Sequence, residues 1–215
     1  MALLDPELLR RQIYAEGFRY LMIGFALVFF DINLNNLDVL PDALGFAIVA
    51  YGAALLKPLH AWAVHAVTIS VGLALVSGFR LVASLNGTVY AANLPGRLME
   101  LVESAGIVAL LWILFQITIE LAVRLNAASL AGEARTHRFF LTILVLGGAA
   151  TGALFAGEES MLEAGADVGV IVIAVFLLFA LALILVLRVF MQASNLCRYG
   201  RLWPPGGGWL PPRRR

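Results

Sequence analysis

The sequence predicts an all-α membrane protein: a polytopic bundle of about six transmembrane helices with both termini on the cytoplasmic side. Two observations carry this prediction. The 215 residues are 61% hydrophobic and only 13% charged, and their mean hydropathy is +0.91. A water-soluble domain is nearer half apolar and about a quarter charged. A soluble core of this size would leave too much apolar surface in water, so we expect lipid to surround much of the chain.

Six apolar stretches are the candidate crossings. A spanning helix needs ~20 mostly apolar residues, and five of the stretches meet that requirement. The second is short, which suits either a tilted helix or a re-entrant half-helix. In chain order the stretches cover about 17–37, 43–56, 61–85, 98–125, 139–156 and 168–191.

The distribution of basic residues favours six crossings. With the N-terminus inside, thirteen of the fifteen Lys and Arg residues lie inside or at the inner boundary, and only Arg80 and Arg97 fall in the outer half. Such a bias in short loops sets the orientation of membrane proteins. If the second stretch did not cross, the later basic loops would face the wrong side. We therefore expect a multi-pass protein of an inner or plasma membrane.

Residues 1–16 predict a short helix along the inner surface, ahead of a transmembrane domain at 17–198. The run Asp5-Pro6-Glu7 offers an N-cap, a proline suited to the first helical position and an acid in the first turn.

Residues 199–215 predict a disordered cytoplasmic tail, because so many Pro and Gly residues do not form a regular element. Its terminal Arg213, Arg214 and Arg215 are expected to be attracted to anionic lipid. A peptide that docks on a partner is the alternative for this tail.

A compact polar segment separates the first two apolar stretches. It reads Asp31-Ile32-Asn33, then Asp38, then Leu40-Pro41-Asp42 followed by Gly45. Over about residues 19–56 it resembles an uncharacterised group of small bacterial multi-pass membrane proteins with a D-I-N…D-x-L-P-D-x-x-G-like hairpin. The resemblance implies a helical hairpin and no assigned chemistry.

The hairpin also has a physical basis of its own. Pro41 cannot continue a helix but suits the first turn of the next one, and Asp42 beside it favours that helix's N-terminal dipole. Gly45 and Gly52 are seven apart and share one helix face, where small residues allow a neighbour to approach.

Ionisable residues inside the apolar stretches are the best candidates for a functional site, because such residues are rare and costly in lipid. Asp31, Arg80 and Glu103 each lie roughly five to seven residues from the outer end of their stretch, some ~8–10 Å deep. Glu100 lies one turn from Glu103. Two carboxylates and a guanidinium at one depth predict a polar vestibule open to the outside, with Asn33 near its rim.

Two interpretations of this vestibule stay open at this point. A structural ion pair that locks helix packing needs only Arg80 and one carboxylate. A substrate or ion site would use the carboxylate left over, with Asp38 in the adjoining outer loop. An acidic group left after pairing is able to take a cation or a proton.

Other polar and small residues predict structural roles. Glu120 and Arg124 are four apart and suit an i,i+4 pair at a helix end. Gly148 and Gly152 form a small-xxx-small face. A single cysteine excludes an intramolecular disulfide. His60 and His65 flank Trp62; without a third ligand they are weak evidence for a metal, and interfacial packing is favoured. No metal, no other cofactor and no catalytic residue is predicted.

The sequence favours a protein that binds or transports a small solute or cation through the vestibule. The first alternative is a non-catalytic accessory module that assembles with a membrane partner or with copies of itself. The second is a membrane-embedded enzyme with carboxylate acid–base residues, although zinc-protease, nucleophile-elbow and P-loop motifs are absent from the sequence. Nothing in the charge pattern predicts binding to nucleic acid.

Overall fold

The computed structural model describes residues 6–29, 33–34, 37–38, 42–85, 94–155 and 166–199. Within these ranges the fold is helical, which confirms the predicted all-α class, and a pair of two-residue strands is the only other regular element. The helices are α1 (Pro6–Phe29), α2 (Asp42–Leu55), α3 (Ala63–Leu85), α4 (Leu94–Arg124), α5 (Ala128–Phe155) and α6 (Ala166–Tyr199). The strands are β1 (Asn33–Leu34) and β2 (Leu37–Asp38).

Within the described ranges, three helices are long and apolar enough to cross a membrane. Their candidate spans are Ala63–Val82 in α3, Leu101–Arg124 in α4 and Ala180–Tyr199 in α6. The 24-residue span of α4 extends about 36 Å at ~1.5 Å per residue, more than the ~30 Å hydrocarbon core of a bilayer. Helix α2 is apolar but has only 14 residues. The length and composition of these helices indicate a membrane protein.

The helices pack in chain order and close into a ring. Helix α1 contacts α2 and α6, α3 lies between α2 and α4, and α5 contacts both α4 and α6. Ser194 of α6 donates a hydrogen bond of 2.9 Å to the backbone carbonyl of Ala15 in α1, where the last helix meets the first. Helices α1 and α6 therefore belong to one bundle.

Aromatic rings fill the centre of this bundle. The ring of Phe190 in α6 lies 6.2 Å and 5.9 Å from the rings of Phe18 and Phe25 in α1, and 5.7 Å from that of Phe115 in α4. All four side chains are fully buried. Phe190 thus joins three helices that are far apart in the sequence.

Helices α1 and α2 approach closely at two glycine pairs. A Cβ atom on Gly24 would lie 2.7 Å from the carbonyl oxygen of Gly45, and one on Gly52 would lie 2.8 Å from that of Gly17. Backbone therefore packs on backbone along this contact, as small residues allow in membrane helices. The predicted small-residue face of Gly45 and Gly52 is the face that α1 covers.

The hairpin between these helices differs in part from its prediction. The first apolar stretch was expected to continue to Leu37, but α1 ends at Phe29, and Asn33 and Leu34 pair antiparallel with Asp38 and Leu37. Asn and Asp side chains compete for backbone hydrogen bonds and so disfavour a helix interior.

Two predicted boundaries can be compared with the ends of the helices. Helix α2 begins at Asp42, which lies in its first turn as predicted, while the predicted place of Pro41 in that turn lies outside the described residues. Helix α1 runs unbroken through residues 16 and 17, so the expected division between a surface helix and the transmembrane domain corresponds to no break in the helix. The assignment of residues 1–16 to the membrane surface, and of 199–215 to a tail, stays a prediction.

Candidate functional site

An interhelical polar cluster joins α3 to α4. Nη1 of Arg80 lies 2.5 Å from Oε2 of Glu103, and the hydroxyl of Ser77 donates a hydrogen bond of 3.0 Å to the other carboxylate oxygen, Oε1. Ser77 and Arg80 are three residues apart, so both face α4 from one side of α3. We call Ser77, Arg80 and Glu103 the outer cluster, after its predicted side of the membrane.

Burial differs sharply across the outer cluster. The Glu103 side chain is 10% exposed, whereas that of Arg80 is 45% exposed. Each oxygen of the buried carboxylate has a donor, which offsets the cost of removing its charge from water. A guanidinium has five N–H donors, and much of this one remains accessible. In the outer cluster, the carboxylate of Glu103 is therefore buried and the guanidinium of Arg80 is accessible.

The predicted vestibule residues are resolved to different extents. Arg80 and Glu103 are in contact; their common depth allowed this pair without favouring it over a pair of Arg80 with Asp31. Asp31 and Pro41 lie outside the residues that the structure describes. The backbones of Asn33 and Asp38 form a register pair between β1 and β2, and β2 contacts α3. Their side chains, and that of Glu100 in α4, are outside the described part.

A second polar cluster lies near the C-terminal end of α4. Oε2 of Glu120 lies 2.7 Å from Nε2 of His60, and its Oε1 accepts a hydrogen bond of 3.0 Å from Gln116. The predicted pair with Arg124 is present but long, at 4.0 Å. Because Nδ1 of His60 accepts a hydrogen bond from the backbone N–H of Trp62, its Nε2 carries the proton that faces Glu120.

This second cluster extends to α5 through Arg138. Nη1 of Arg138 donates a hydrogen bond of 2.7 Å to Oε1 of Gln116, and its guanidinium lies 4.1 Å from the centre of the Trp112 ring. A cation over an indole face is an attractive arrangement. We call Trp112, Gln116, Glu120, Arg138 and His60 the inner cluster.

The two clusters are separated by one apolar section of α4. Glu103 and Glu120 are seventeen residues apart, which is about 26 Å along the helix axis and close to the ~30 Å thickness of the hydrocarbon core. The residues from 105 to 111 are all apolar. Glu103 and Glu120 thus lie toward the two ends of the same candidate span.

A third ionic contact joins α5 to α6. Nη2 of Arg188 lies 2.9 Å from Oε1 of Glu133, and His137 follows Glu133 by one turn. His137 precedes the fifth apolar stretch, which begins at Phe139. Burial lowers the pKa of His137, and nearby Arg188 lowers it further, while Glu133 acts in the opposite direction.

His137 predicts a specific pH dependence of stability. Because its folded pKa is below the ordinary value of 6.5, the unfolded chain takes up a proton that the folded protein resists. The free energy of unfolding should therefore fall as pH drops below 6.5. We expect His137→Asn to flatten this fall, measured as melting temperature between pH 7.5 and 5. His65→Asn, at an exposed site, is the control, and an equal slope in both variants would refute the assignment.

The roles of Gly148 and Gly152 stay a prediction. Gly148 and Gly152 both lie in α5, and their surroundings are outside the described part. Among the described residues, no three His, Cys, Asp or Glu side chains are grouped to hold a metal ion. The contact of His60 with Glu120 was not predicted from the sequence, because the two residues are sixty apart.

Comparison with known protein families, with curated proteins and with solved structures finds no match for this chain.

Proposed function

We propose that this chain is a multi-pass membrane protein that binds or transports a small polar solute or cation at the outer cluster. The observation that carries the proposal is the asymmetric Arg80–Glu103 pair, in which a buried carboxylate holds a guanidinium that is itself 45% exposed. An ionisable group within a membrane span is costly, and such groups commonly mark solute or ion pathways.

The contacts of Glu103 suggest different roles for the two charged residues of the outer cluster. Both carboxylate oxygens already have donors, from Ser77 and Arg80, so Glu103 orients the guanidinium rather than meeting the solute directly. The accessible N–H groups of Arg80 suit a carboxylate or another polar oxygen. A cation would instead need a further acid, for which Asp31 and Glu100 are the candidates.

The topology that this function requires is part of the proposal. Six crossings with both termini inside place the outer cluster toward the outer face and the inner cluster toward the cytoplasm. The Lys and Arg bias supports this orientation, and three of the described helices are long and apolar enough to cross. The hairpin resemblance to uncharacterised bacterial membrane proteins agrees with this arrangement, as does an inner or plasma membrane.

The test compares two ion pairs of the same chemistry. Purified chain is reconstituted in proteoliposomes, and uptake is measured for protons, Na⁺, K⁺ and a set of radiolabelled amino acids. We expect one of these to be taken up, and Arg80→Gln and Glu103→Gln each to reduce that uptake by at least about ten-fold, the loss of one charge-assisted contact. Arg188→Gln and Glu133→Gln, which break the α5–α6 pair, are the matched controls.

The outcomes separate the alternatives. If both pairs of variants lower the melting temperature alike and no solute is taken up or stabilises the protein, the outer cluster is a structural ion pair and the proposal fails. An accessory module instead predicts that a second membrane protein co-purifies with the chain. An enzyme predicts turnover of a lipid or peptide that Glu103→Gln removes.

A further inference from the structure

A cavity opens at the end of the bundle opposite the outer cluster. It has a volume of about 410 Å³, within the ~300–1,000 Å³ typical of small-molecule sites. Four elements surround it: the start of α1, the turn between α2 and α3, the end of α4 and the end of α6. Its lining residues are Arg10, Arg11, Tyr14, Leu59, Leu121, Arg124, Leu125, Leu196 and Cys197.

The cavity is basic on its exposed side. Arg10 and Arg11 of α1 are both exposed, and the side chain of Arg124 in α4 is 61% exposed. The nearest carboxylate to Arg124 is Glu120 at 4.0 Å, and that carboxylate is held more closely by His60 at 2.7 Å. Three guanidinium groups therefore face one opening with little neutralisation from the described acidic residues.

The floor of the cavity is apolar. Leu121, Leu196 and Cys197 are each less than 5% exposed, and Leu125 continues the apolar wall toward the surface. Both α4 and α6 complete their candidate spans at this level, at Arg124 and Tyr199. The cavity thus lies where the hydrocarbon core meets the headgroup layer, with its charges outward and its leucines inward.

We propose that this cavity binds the phosphate headgroup of an anionic phospholipid. Guanidinium groups match phosphate oxygens through paired N–H donors, and basic pockets between transmembrane helices suit anionic headgroups. The leucine floor receives the first part of an acyl chain, which a free phosphate does not possess. This site is separate from the predicted attraction of Arg213–Arg215 to lipid, and it does not depend on the outer cluster.

The test measures lipid binding to the full chain in detergent by native mass spectrometry. The ligands are phosphatidylglycerol, phosphatidylcholine and inorganic phosphate. We expect phosphatidylglycerol to bind at least about ten-fold more tightly than phosphatidylcholine, whose phosphate charge is balanced. The triple variant Arg10→Gln, Arg11→Gln, Arg124→Gln should lose about ten- to hundred-fold in affinity. The control is a second triple variant, Lys57→Gln, Arg135→Gln, Arg198→Gln, which removes three exposed basic residues outside the cavity. Its affinity for phosphatidylglycerol should change little.

A variant that keeps every charge separates the cavity from general surface attraction. Leu125→Trp fills the opening and should also reduce phosphatidylglycerol binding about ten-fold, by steric exclusion. Equal losses in the two triple variants, or unchanged binding in Leu125→Trp, would refute the cavity as the binding site. Displacement of the lipid by millimolar inorganic phosphate would assign the site to free anions and overturn the lipid proposal.

Discussion

Replacing Gly24 with alanine is expected to destabilise the protein by about 2–3 kcal/mol, the cost of overpacking a close contact. The new methyl group would lie 2.5 Å from Cγ2 of Val49 and 2.7 Å from the carbonyl oxygen of Gly45. The second of these is a backbone atom, which cannot rotate away as a side chain can. The two helices must therefore separate along the whole glycine contact. Thermal unfolding of the purified chain in detergent measures the loss.

Gly72→Ala is the matched control for this experiment. Gly72 lies within α3, and a Cβ atom there would meet nothing within 4 Å. The same substitution should therefore be neutral or should stabilise by about 0.5–1 kcal/mol, because alanine has the higher helix propensity. Equal melting temperatures for the two variants would show that α1 and α2 do not pack as closely as the structure indicates.

Replacing Phe190 with alanine is expected to destabilise the protein by about 3 kcal/mol. This is the lower end of the range for buried Phe→Ala changes, because the separated helices are solvated by lipid and the water-transfer part of the cost is small. What remains is the cavity among Phe18, Phe25 and Phe115, whose rings lose their shared neighbour. Because three helices meet there, the variant should still unfold in a single cooperative transition, shifted to lower temperature.

Leu181→Ala provides the comparison on the same helix. Leu181 lies nine residues before Phe190 and is 46% exposed, so lipid or detergent can occupy the space that its side chain leaves. We expect the free energy of unfolding to fall by less than about 1 kcal/mol, as is usual for substitutions at exposed sites. A loss equal to that of Phe190→Ala would mean that packing at the aromatic centre contributes nothing specific.

That Arg80 lies near a carboxylate was predictable from the sequence, whereas the choice of Glu103 over Asp31 was not. All transmembrane helices end near the same bilayer surface. Counting residues from the end of each apolar stretch therefore estimates the depth of each side chain. Charged groups at equal depth are then driven together by the cost of leaving either one alone in lipid. The part of the vestibule that depends on Asp31 stays a prediction, because its depth was counted along a helix expected to reach Leu37.

The inner cluster and the basic cavity were not predictable in the same way. Glu120 has Arg124 one turn away, which is the partner that local spacing suggests, yet His60 is the nearer contact. The cavity needs Arg10, Leu59, Arg124 and Leu196 from four separate elements. Spacing along one helix predicts neighbours on that helix only, so contacts between helices depend on rotations that hydropathy does not encode.

The sequence by itself predicted a helical chain suited to a membrane, and it placed Arg80 and Glu103 at a similar depth. Composition and apolar run length are enough for these conclusions, because lipid requires backbone hydrogen bonds to be made within each helix. Only the tertiary structure decided which faces meet: the glycine pairs of α1 and α2, the rings around Phe190, and the arginines gathered at one cavity. The physical reason is that helices in lipid associate through close packing and polar contacts. Both depend on the rotation of each helix about its axis.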